Sequence, residues 1–276
     1  MFKFNFLCEK ENEHSTEPDL DRQEVFQHSE EICPEPNPQE LNDIPKNTIE
    51  CNDVVINYLC PNSLLDTLKD KKLNESILQA EENHSDLLPA VYEGGLKVWE
   101  CTYDVLQYFE EAQIDFNNKL VLDLGCGSGI LGIYALLKNA TCWFQDYNVD
   151  VINNITIPNV SLNSEDLMDR SKFFSGDWKY FVDLMKEKYS DRKFDCIITS
   201  ETIYNTNYYT KLHRVFENLL KKDGVIYLAA KSFYFGVGGG VHLFENYMDN
   251  KKVFRHTCCW STTDGVQRDI LKINFL

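Results

Sequence analysis

The sequence contains no run of about 18 apolar residues, the length that a transmembrane helix needs, so we expect no membrane span. Residues 1–10 alternate apolar and polar side chains and lack the continuous apolar stretch and cleavage site of a secretory signal peptide. Basic residues are also scarce: 27 Lys and Arg oppose 44 Asp and Glu, which gives a formal net charge of −17. A surface this acidic repels phosphate backbones, so we do not expect direct binding to nucleic acid.

No two cysteines have the Cys-x-x-Cys spacing, and no cysteine and histidine pattern of a zinc site is present, so we predict no metal site. The chain has 10 cysteines, but Cys126 lies in a glycine-rich turn, and Cys142 and Cys196 lie in apolar, strand-like runs. Such positions are typical of free thiols in a reducing compartment rather than of a disulfide scaffold. We therefore expect a cytoplasmic or nuclear protein, with the nucleolus included.

Glycine is absent before Gly94, and most of the prolines lie in the same N-terminal third. Residues 1–90 carry 20 acidic and 7 basic side chains, a net charge of −13, whereas the rest of the chain carries 24 and 20. An acidic, proline-containing composition predicts that residues 1–46 form a disordered leader. We expect one domain over 47–276, in which an extension at 47–90 packs on a core at 91–276.

The core alternates between predicted strands and predicted helices. The strands are expected at 120–124, 142–145, 172–174, 194–200, 225–230, 253–260 and 269–275. The main helices are expected at 95–111, 130–138 and 207–221. This alternation predicts an α/β fold with a seven-stranded, mostly parallel, doubly wound sheet, Rossmann-like in its architecture. Ligands of such sheets bind at the carboxyl ends of the strands, where we therefore expect the functional residues.

Residues 123–129, Asp-Leu-Gly-Cys-Gly-Ser-Gly, lie at a predicted turn from strand to helix. Glycines allow a backbone to approach a ligand without interference from Cβ. The glycines of 127–132 also fit the dinucleotide fingerprint, so spacing alone leaves a nicotinamide cofactor open. Asp123 favours a sulfonium cofactor with an ammonium group, because a pyrophosphate gains nothing from an adjacent carboxylate. Asp146 ends the next strand, where it can bind the ribose hydroxyl groups of either cofactor.

The loop at 123–129, Asp146 and the turn and strand at 222–228 resemble those of class I, seven-stranded methyltransferases that use S-adenosyl-L-methionine. The resemblance covers about residues 92–276. It implies S-adenosyl-L-methionine as the cofactor, and it makes the nicotinamide alternative the weaker of the two.

Five further motifs narrow the resemblance. They are VYEGGLKVWECT at 91–102, FQDYN at 144–148, SGDW at 175–178, TSETIYN at 199–205 and YFGVGGG at 234–240. Together they closely resemble the eukaryotic histidine protein methyltransferase family. Members of that family methylate the tele nitrogen of a histidine in a large-subunit ribosomal protein, the universal L-three protein. The resemblance implies the same reaction here, on a basic protein substrate, and we expect the enzyme to be a monomer.

The residues expected to bind the cofactor come from five places in the core. They are Trp99, Glu100 and Thr102; Asp123, Gly125 and Gly127; Asp146, Tyr147 and Asn148; Gly176, Asp177 and Trp178; and Ser200. The indole of Trp99 can cover the methionine arm, and the carboxylate of Glu100 can pair with its ammonium group. Tyr147 and Asn148 are expected to line the adenine, whose edge the resembling family reads after the third strand of the core.

Glu201 and Tyr204 form a Glu-x-x-Tyr motif at the end of the fourth predicted strand, and we expect them to be catalytic. A neutral imidazole, with an ordinary pKa of about 6.5, is nucleophilic at cellular pH. Its attack on the methyl group creates positive charge, which a nearby carboxylate stabilises. Glu201 is the expected carboxylate.

Two other functions stay open on the sequence. Lysine methyltransferases of the same fold carry a similar acidic-x-x-aromatic motif, so the acceptor is either a histidine or a lysine. An Asn-Pro-Pro-Tyr motif is absent, which disfavours methylation of amides and exocyclic amines. The alternative from another class is a non-catalytic factor that binds ribosomal proteins during assembly.

Overall fold

The computed structural model describes residues 27–34, 43–70, 77, 91–190, 192–262 and 265–276. Its strands are β1 (Glu30–Ile32), β2 (Lys46–Cys51), β3 (Val54–Leu59), β4 (Leu120–Leu124), β5 (Thr141–Asp146), β6 (Ser171–Ser175), β7 (Phe194–Ser200), β8 (Leu220–Lys231), β9 (Phe254–Thr262) and β10 (Arg268–Phe275). Its longer helices are α1 (Pro61–Asp70), α2 (Glu100–Glu111), α3 (Ile130–Leu137), α6 (Trp178–Lys188), α7 (Tyr209–Leu219) and α8 (Val241–Lys251). Between them, α4 consists of α turns at Val149–Val151 and Ile157–Ser161 around a π turn at Ile152–Thr156, and α5 is Glu165–Asp169.

One sheet has the strand order β1-β6-β5-β4-β7-β8-β10-β9, and β2 and β3 form a separate hairpin. Strands β6, β5, β4, β7 and β8 run parallel, whereas β10 pairs antiparallel with both β8 and β9. The seven strands predicted from the sequence are all present in this sheet. The α/β fold with a mostly parallel, doubly wound sheet is therefore confirmed.

Both faces of the sheet are covered by apolar layers, because successive side chains of a strand point to opposite faces. In β4, Val121 packs in one buried cluster while Leu122 and Leu124 pack in the other. The stacked rings of Phe144 and Phe173, with centroids 5.3 Å apart, carry the first layer across β5 and β6. These central strands are buried on both sides, which explains their nearly continuous apolar sequences.

An eighth strand, β1, comes from the segment that we predicted to be a disordered leader. It pairs antiparallel with β6, with Glu30 opposite Ser175 and Ile32 opposite Phe173. The prediction of disorder is therefore wrong for residues 27–34, because β6 offers an open edge to which this segment adds by hydrogen bonding. The prediction is also wrong at residues 43–46, where Ile44 is buried and Lys46 begins β2. The remainder of the predicted leader lies outside the described residues.

The extension at 47–90 is described only in part. Leu59, Leu64 and Leu68 pack against Val151 and Ile155 of α4, which attaches the hairpin and α1 to the core. The division between extension and core remains a prediction.

Other features of the described chain bear on the sequence predictions. The helix predicted at 95–111 begins at Glu100, and Trp99 before it is extended, with φ −86° and ψ 157°. The nine cysteines in the described part of the chain are free, as expected. No helix formed by the described residues has the length and apolar character needed to cross a membrane.

Candidate active site

A cavity of about 530 Å³ lies at the carboxyl ends of β4, β5, β6 and β7. Its volume is within the range of about 300–1,000 Å³ that is usual for small-molecule sites. Most of the predicted site residues line it: Trp99, Thr102, Asp123, Gly125, Gly127, Asp146, Tyr147, Gly176, Asp177, Trp178, Ser200, Glu201 and Tyr204. The structure thus brings together side chains that are spread over more than a hundred positions of the sequence.

The glycine loop forms the floor of the cavity between β4 and α3. Gly127 has φ +50°, and a Cβ built on it would lie 3.1 Å from the carbonyl oxygen of Gly95. A side chain at this position would therefore meet both backbone strain and a close backbone neighbour. Asp146 holds the loop in place, since its Oδ2 accepts a hydrogen bond of 2.9 Å from the Gly127 N–H.

Two buried carboxyl groups lie beside this loop. Oδ2 of Asp123 accepts a 2.8 Å hydrogen bond from the N–H of Gly132 in α3. Burial raises the pKa of Asp123 to about 8, and the charge of Asp146 adds to that increase. Burial also raises the pKa of Asp146 to about 6, although backbone N–H donors oppose the shift. A positively charged ligand would favour the ionised form of both groups, so this environment fits a cofactor with sulfonium and ammonium charges.

The turn after β6 forms another wall. The N–H of Gly176 donates to the carbonyl oxygens of Asp146 and Tyr147, at 3.0 and 3.1 Å. Trp178 is fixed by a 2.8 Å hydrogen bond from its indole Nε1 to Oε1 of Gln145. Asp177 caps α6 at the Lys179 N–H and accepts a 2.7 Å contact from Lys211 Nζ. Gln145 and Lys211 were not predicted from the sequence, although Gln145 directly precedes Asp146 in the motif at 144–148.

Two predicted cofactor residues lie outside the cavity lining. The side chain of Glu100 is 59% exposed and faces Lys231, with Oε2 3.4 Å from Nζ. The helix α2 begins at Glu100, so the extended segment that precedes the helix passes over the glycine loop. Trp99, in that segment, lines the cavity, and Glu100 does not. The structure therefore gives no support to Glu100 as the partner of an ammonium group.

Asn148 is buried, and its amide holds the chain that covers the cavity. Its Oδ1 accepts a 3.1 Å hydrogen bond from the Glu93 N–H, and its Nδ2 donates to the carbonyl oxygen of Val91 at 2.7 Å. We predicted that this side chain lines the adenine. In the structure it instead positions residues 91–93.

Glu201 lies in the left-handed region, with φ +59°, at the end of β7. Its carboxylate is buried, and Oε2 accepts a hydrogen bond from the phenol of Tyr234. Oε1 has no hydrogen-bond partner among the described residues, and Lys231 Nζ lies 4.0 Å away from it. Burial raises the pKa of the carboxyl, although Lys231 and Tyr234 oppose the shift. The thiol of Cys101 is a further donor that lowers the pKa of this carboxyl, and Glu201 itself is one of the residues that line the cavity.

Tyr204 contacts Glu93, which was not predicted as a site residue. Its phenol donates to Oε2 of Glu93, and the phenol of Tyr208 donates to Oε1 of the same carboxylate at 3.2 Å. The backbone of Tyr204 also accepts a 2.9 Å hydrogen bond from the Gly239 N–H, which ties the glycine-rich segment after β8 to this wall. Glu93 could have been noticed as the acidic residue in the first quoted motif.

Comparisons with known proteins agree with this geometry. A family described as "Lysine methyltransferase" matches residues 72–234. The chain is 39% identical over 271 residues to "Histidine protein methyltransferase 1 homolog" of Mus musculus, which covers 86% of this chain and 73% of that protein. It is 48% identical over 164 residues to the protein of the same name in Dictyostelium discoideum, covering 59% of this chain and 52% of that protein. A crystal structure of a methyltransferase complexed with SAH matches 83% of this chain and 55% of that chain, with a TM-score of 0.54 and 14% identity, and shows the fold alone.

The sheet, the glycine loop and the acidic residue at the end of the second core strand define a class I methyltransferase that uses S-adenosyl-L-methionine. The matches to the family and to its relatives show that the protein is an enzyme of this class. Within the class, the chain belongs to the family of the histidine protein methyltransferase 1 homologues.

Proposed function

We propose that this enzyme transfers a methyl group from S-adenosyl-L-methionine to the tele nitrogen of a histidine in a large-subunit ribosomal protein of the universal L-three type. The observation that carries the proposal is the carboxyl group of Glu201, which is buried at the end of β7 and belongs to a residue that lines the cavity. The names of the relatives support histidine as the acceptor. The ribosomal substrate rests on the resemblance of the sequence motifs.

The residues that would hold the cofactor are the glycine loop, Asp146 for the ribose and Trp99 for the methionine arm. When bound, the cofactor supplies an electrophilic methyl group on a sulfonium that is already a good leaving group. The chain therefore needs no metal to activate the methyl group, and its task is to place the acceptor nitrogen in line with it.

Glu201 is suited to orient an imidazole. Its carboxylate accepts the hydrogen of the pros N–H, which selects the tautomer whose tele nitrogen carries the free electron pair. The carboxylate then stabilises the positive charge that develops on the ring as the N–CH3 bond forms and the S–CH3 bond breaks. Because burial raises its pKa, Glu201 can also take the pros proton from the methylated ring.

A lysine acceptor is the second candidate, which the description of the matching family favours. A lysine ammonium has to lose a proton before it attacks, and the same carboxylate can receive that proton. The two acceptors are therefore separated by the product and not by the geometry of Glu201.

The role of Glu201 is tested by Glu201→Gln, with Glu100→Gln as the matched control outside the cavity. We expect Glu201→Gln to bind S-adenosylhomocysteine with unchanged affinity but to lose at least a hundredfold in kcat, which is typical for the loss of a general base. Glu100→Gln should keep both quantities. Full turnover by Glu201→Gln would contradict the proposed role.

A further inference from the structure

The added strand β1 reaches the wall of the cofactor cavity. The residues that precede β1 lie beside the carboxyl end of β6. There the carbonyl oxygen of Gln27 accepts a 3.0 Å hydrogen bond from the Asp177 N–H. The hydroxyl of Ser29 donates to the carbonyl oxygen of Ser175 at 2.5 Å. Ser175 and Asp177 flank Gly176 in the turn after β6. The segment that leads into β1 is therefore hydrogen-bonded to this turn on both sides of Gly176.

Gly176 itself packs directly on the backbone of this segment. It has φ +103°, and a Cβ built on it would lie 2.5 Å from the carbonyl oxygen of His28 and 2.6 Å from Cα of Ser29. On its other side, the Gly176 N–H donates to the carbonyl oxygen of Asp146. Backbone contacts thus connect the N-terminal segment, through one glycine, to the residue that we expect to bind the ribose.

Glu31 anchors β1 to the core through its side chain. Its carboxylate accepts contacts from Lys172 Nζ at 2.9 Å, from the Tyr189 hydroxyl at 2.7 Å and from Lys188 Nζ at 3.4 Å. Its side chain is only 18% exposed, so water screens these contacts incompletely. The neighbouring Glu30 on the same strand is exposed.

We propose that β1 positions the Ser175–Asp177 turn of the cavity, so that affinity for the cofactor depends on a strand supplied by the acidic N-terminal segment. The proposal rests on the cavity being the cofactor site. Molecules in which β1 is not docked leave this turn unsupported and bind the cofactor weakly. The apparent affinity for the cofactor therefore decreases as the fraction of molecules with docked β1 decreases. By linkage, a bound cofactor product must in turn strengthen the docking of β1.

The first test compares Glu31→Lys with Glu30→Lys in the full chain. Glu31→Lys places a third cation against Lys172 and Lys188. Glu30→Lys makes the same change of charge at the preceding residue, which is exposed. We expect the Kd for S-adenosylhomocysteine, measured by calorimetry, to rise at least threefold in Glu31→Lys and to stay at the wild-type value in Glu30→Lys. Equal affinities in all three proteins would overturn the proposal, and so would an equal loss in both variants.

The second test needs no substitution and therefore does not depend on how well a variant folds. Amide hydrogen exchange of residues 30–32 and 175–177 is followed in the wild-type protein with and without saturating S-adenosylhomocysteine. We expect exchange in both segments to slow at least threefold when the ligand is bound. Protection of 175–177 without any change at 30–32 overturns the role of β1 and leaves the cofactor site standing. A wild-type protein that does not bind the ligand overturns the assignment of the cavity itself.

Discussion

The substitution Tyr234→Phe tests how the chain prepares Glu201 for its role. The phenol of Tyr234 donates to Oε2 of the buried carboxylate and accepts a 3.2 Å hydrogen bond from the Lys231 N–H. A hydrogen bond to a charged group contributes about 1.5–3 kcal/mol. Because this hydrogen bond favours the charged form, its loss should raise the pKa of Glu201 beyond the increase that burial causes.

The sign of this change determines the assay. A higher pKa means that Glu201 is protonated over a wider range of pH, so the acid limb of the kcat profile should move to higher pH. Turnover should recover in more alkaline buffer, while affinity for S-adenosylhomocysteine stays unchanged. The control is Tyr247→Phe, which removes an exposed phenol that bonds to Thr210. An acid limb that does not move in Tyr234→Phe would refute this account of Glu201.

Two other predictions concern the ionisation of Asp146 and the packing of α3 against β5. Asp146 has a pKa of about 6, and we expect its ionised form to bind the ribose, so affinity for S-adenosylhomocysteine should fall by up to tenfold per unit as the pH drops below about 6. Calorimetry should show that Asp146→Asn removes this step and keeps the step near pH 8 that the titration of Asp123 causes. A Cβ on Gly132 would lie 2.2 Å from Cε1 of Phe144 and 2.8 Å from Sγ of Cys142, so Gly132→Ala should lower the free energy of unfolding by about 1–3 kcal/mol. Denaturant unfolding measures that loss, and an unchanged midpoint would contradict the packing described here.

The sequence predicted the central sheet well because its strands have a local signal. The strands β4 and β7 were predicted with the bounds that the structure shows, since both are nearly unbroken apolar runs bounded by polar turns. The helix α6 was not predicted, although Phe181, Val182 and Met185 form its buried face at helical spacing. That signal was present in the sequence and was overlooked.

The strand β1 has no such signal. It is three residues long, two of which are glutamates, and strands are poor in glutamate. It becomes a strand because Glu31 finds Lys172 and Tyr189, which are more than 140 positions further along the chain. Only the folded structure brings those partners together.

For the candidate site, too, the residues with a local sequence signal were predicted and their distant partners were not. The ends of the predicted strands located most of the residues that line the cavity, because parallel strands end at one edge of the sheet. The partners of Glu201 and Tyr204 were not predicted, since Glu93 bonds to Tyr204 across 111 positions and Tyr234 bonds to Glu201 across 33. Glu100 was misplaced because the start of α2 was predicted five residues too early.

The central claim is the identity of the methylated amino acid. The full-length protein is incubated with radiolabelled S-adenosyl-L-methionine and an extract from cells that lack the endogenous enzyme, and the labelled protein is hydrolysed to amino acids. The account predicts label in tele-methylhistidine, in one basic protein of the large ribosomal subunit, and no label with Glu201→Gln. Label in methyllysine would contradict histidine as the acceptor and make the second candidate function the correct one.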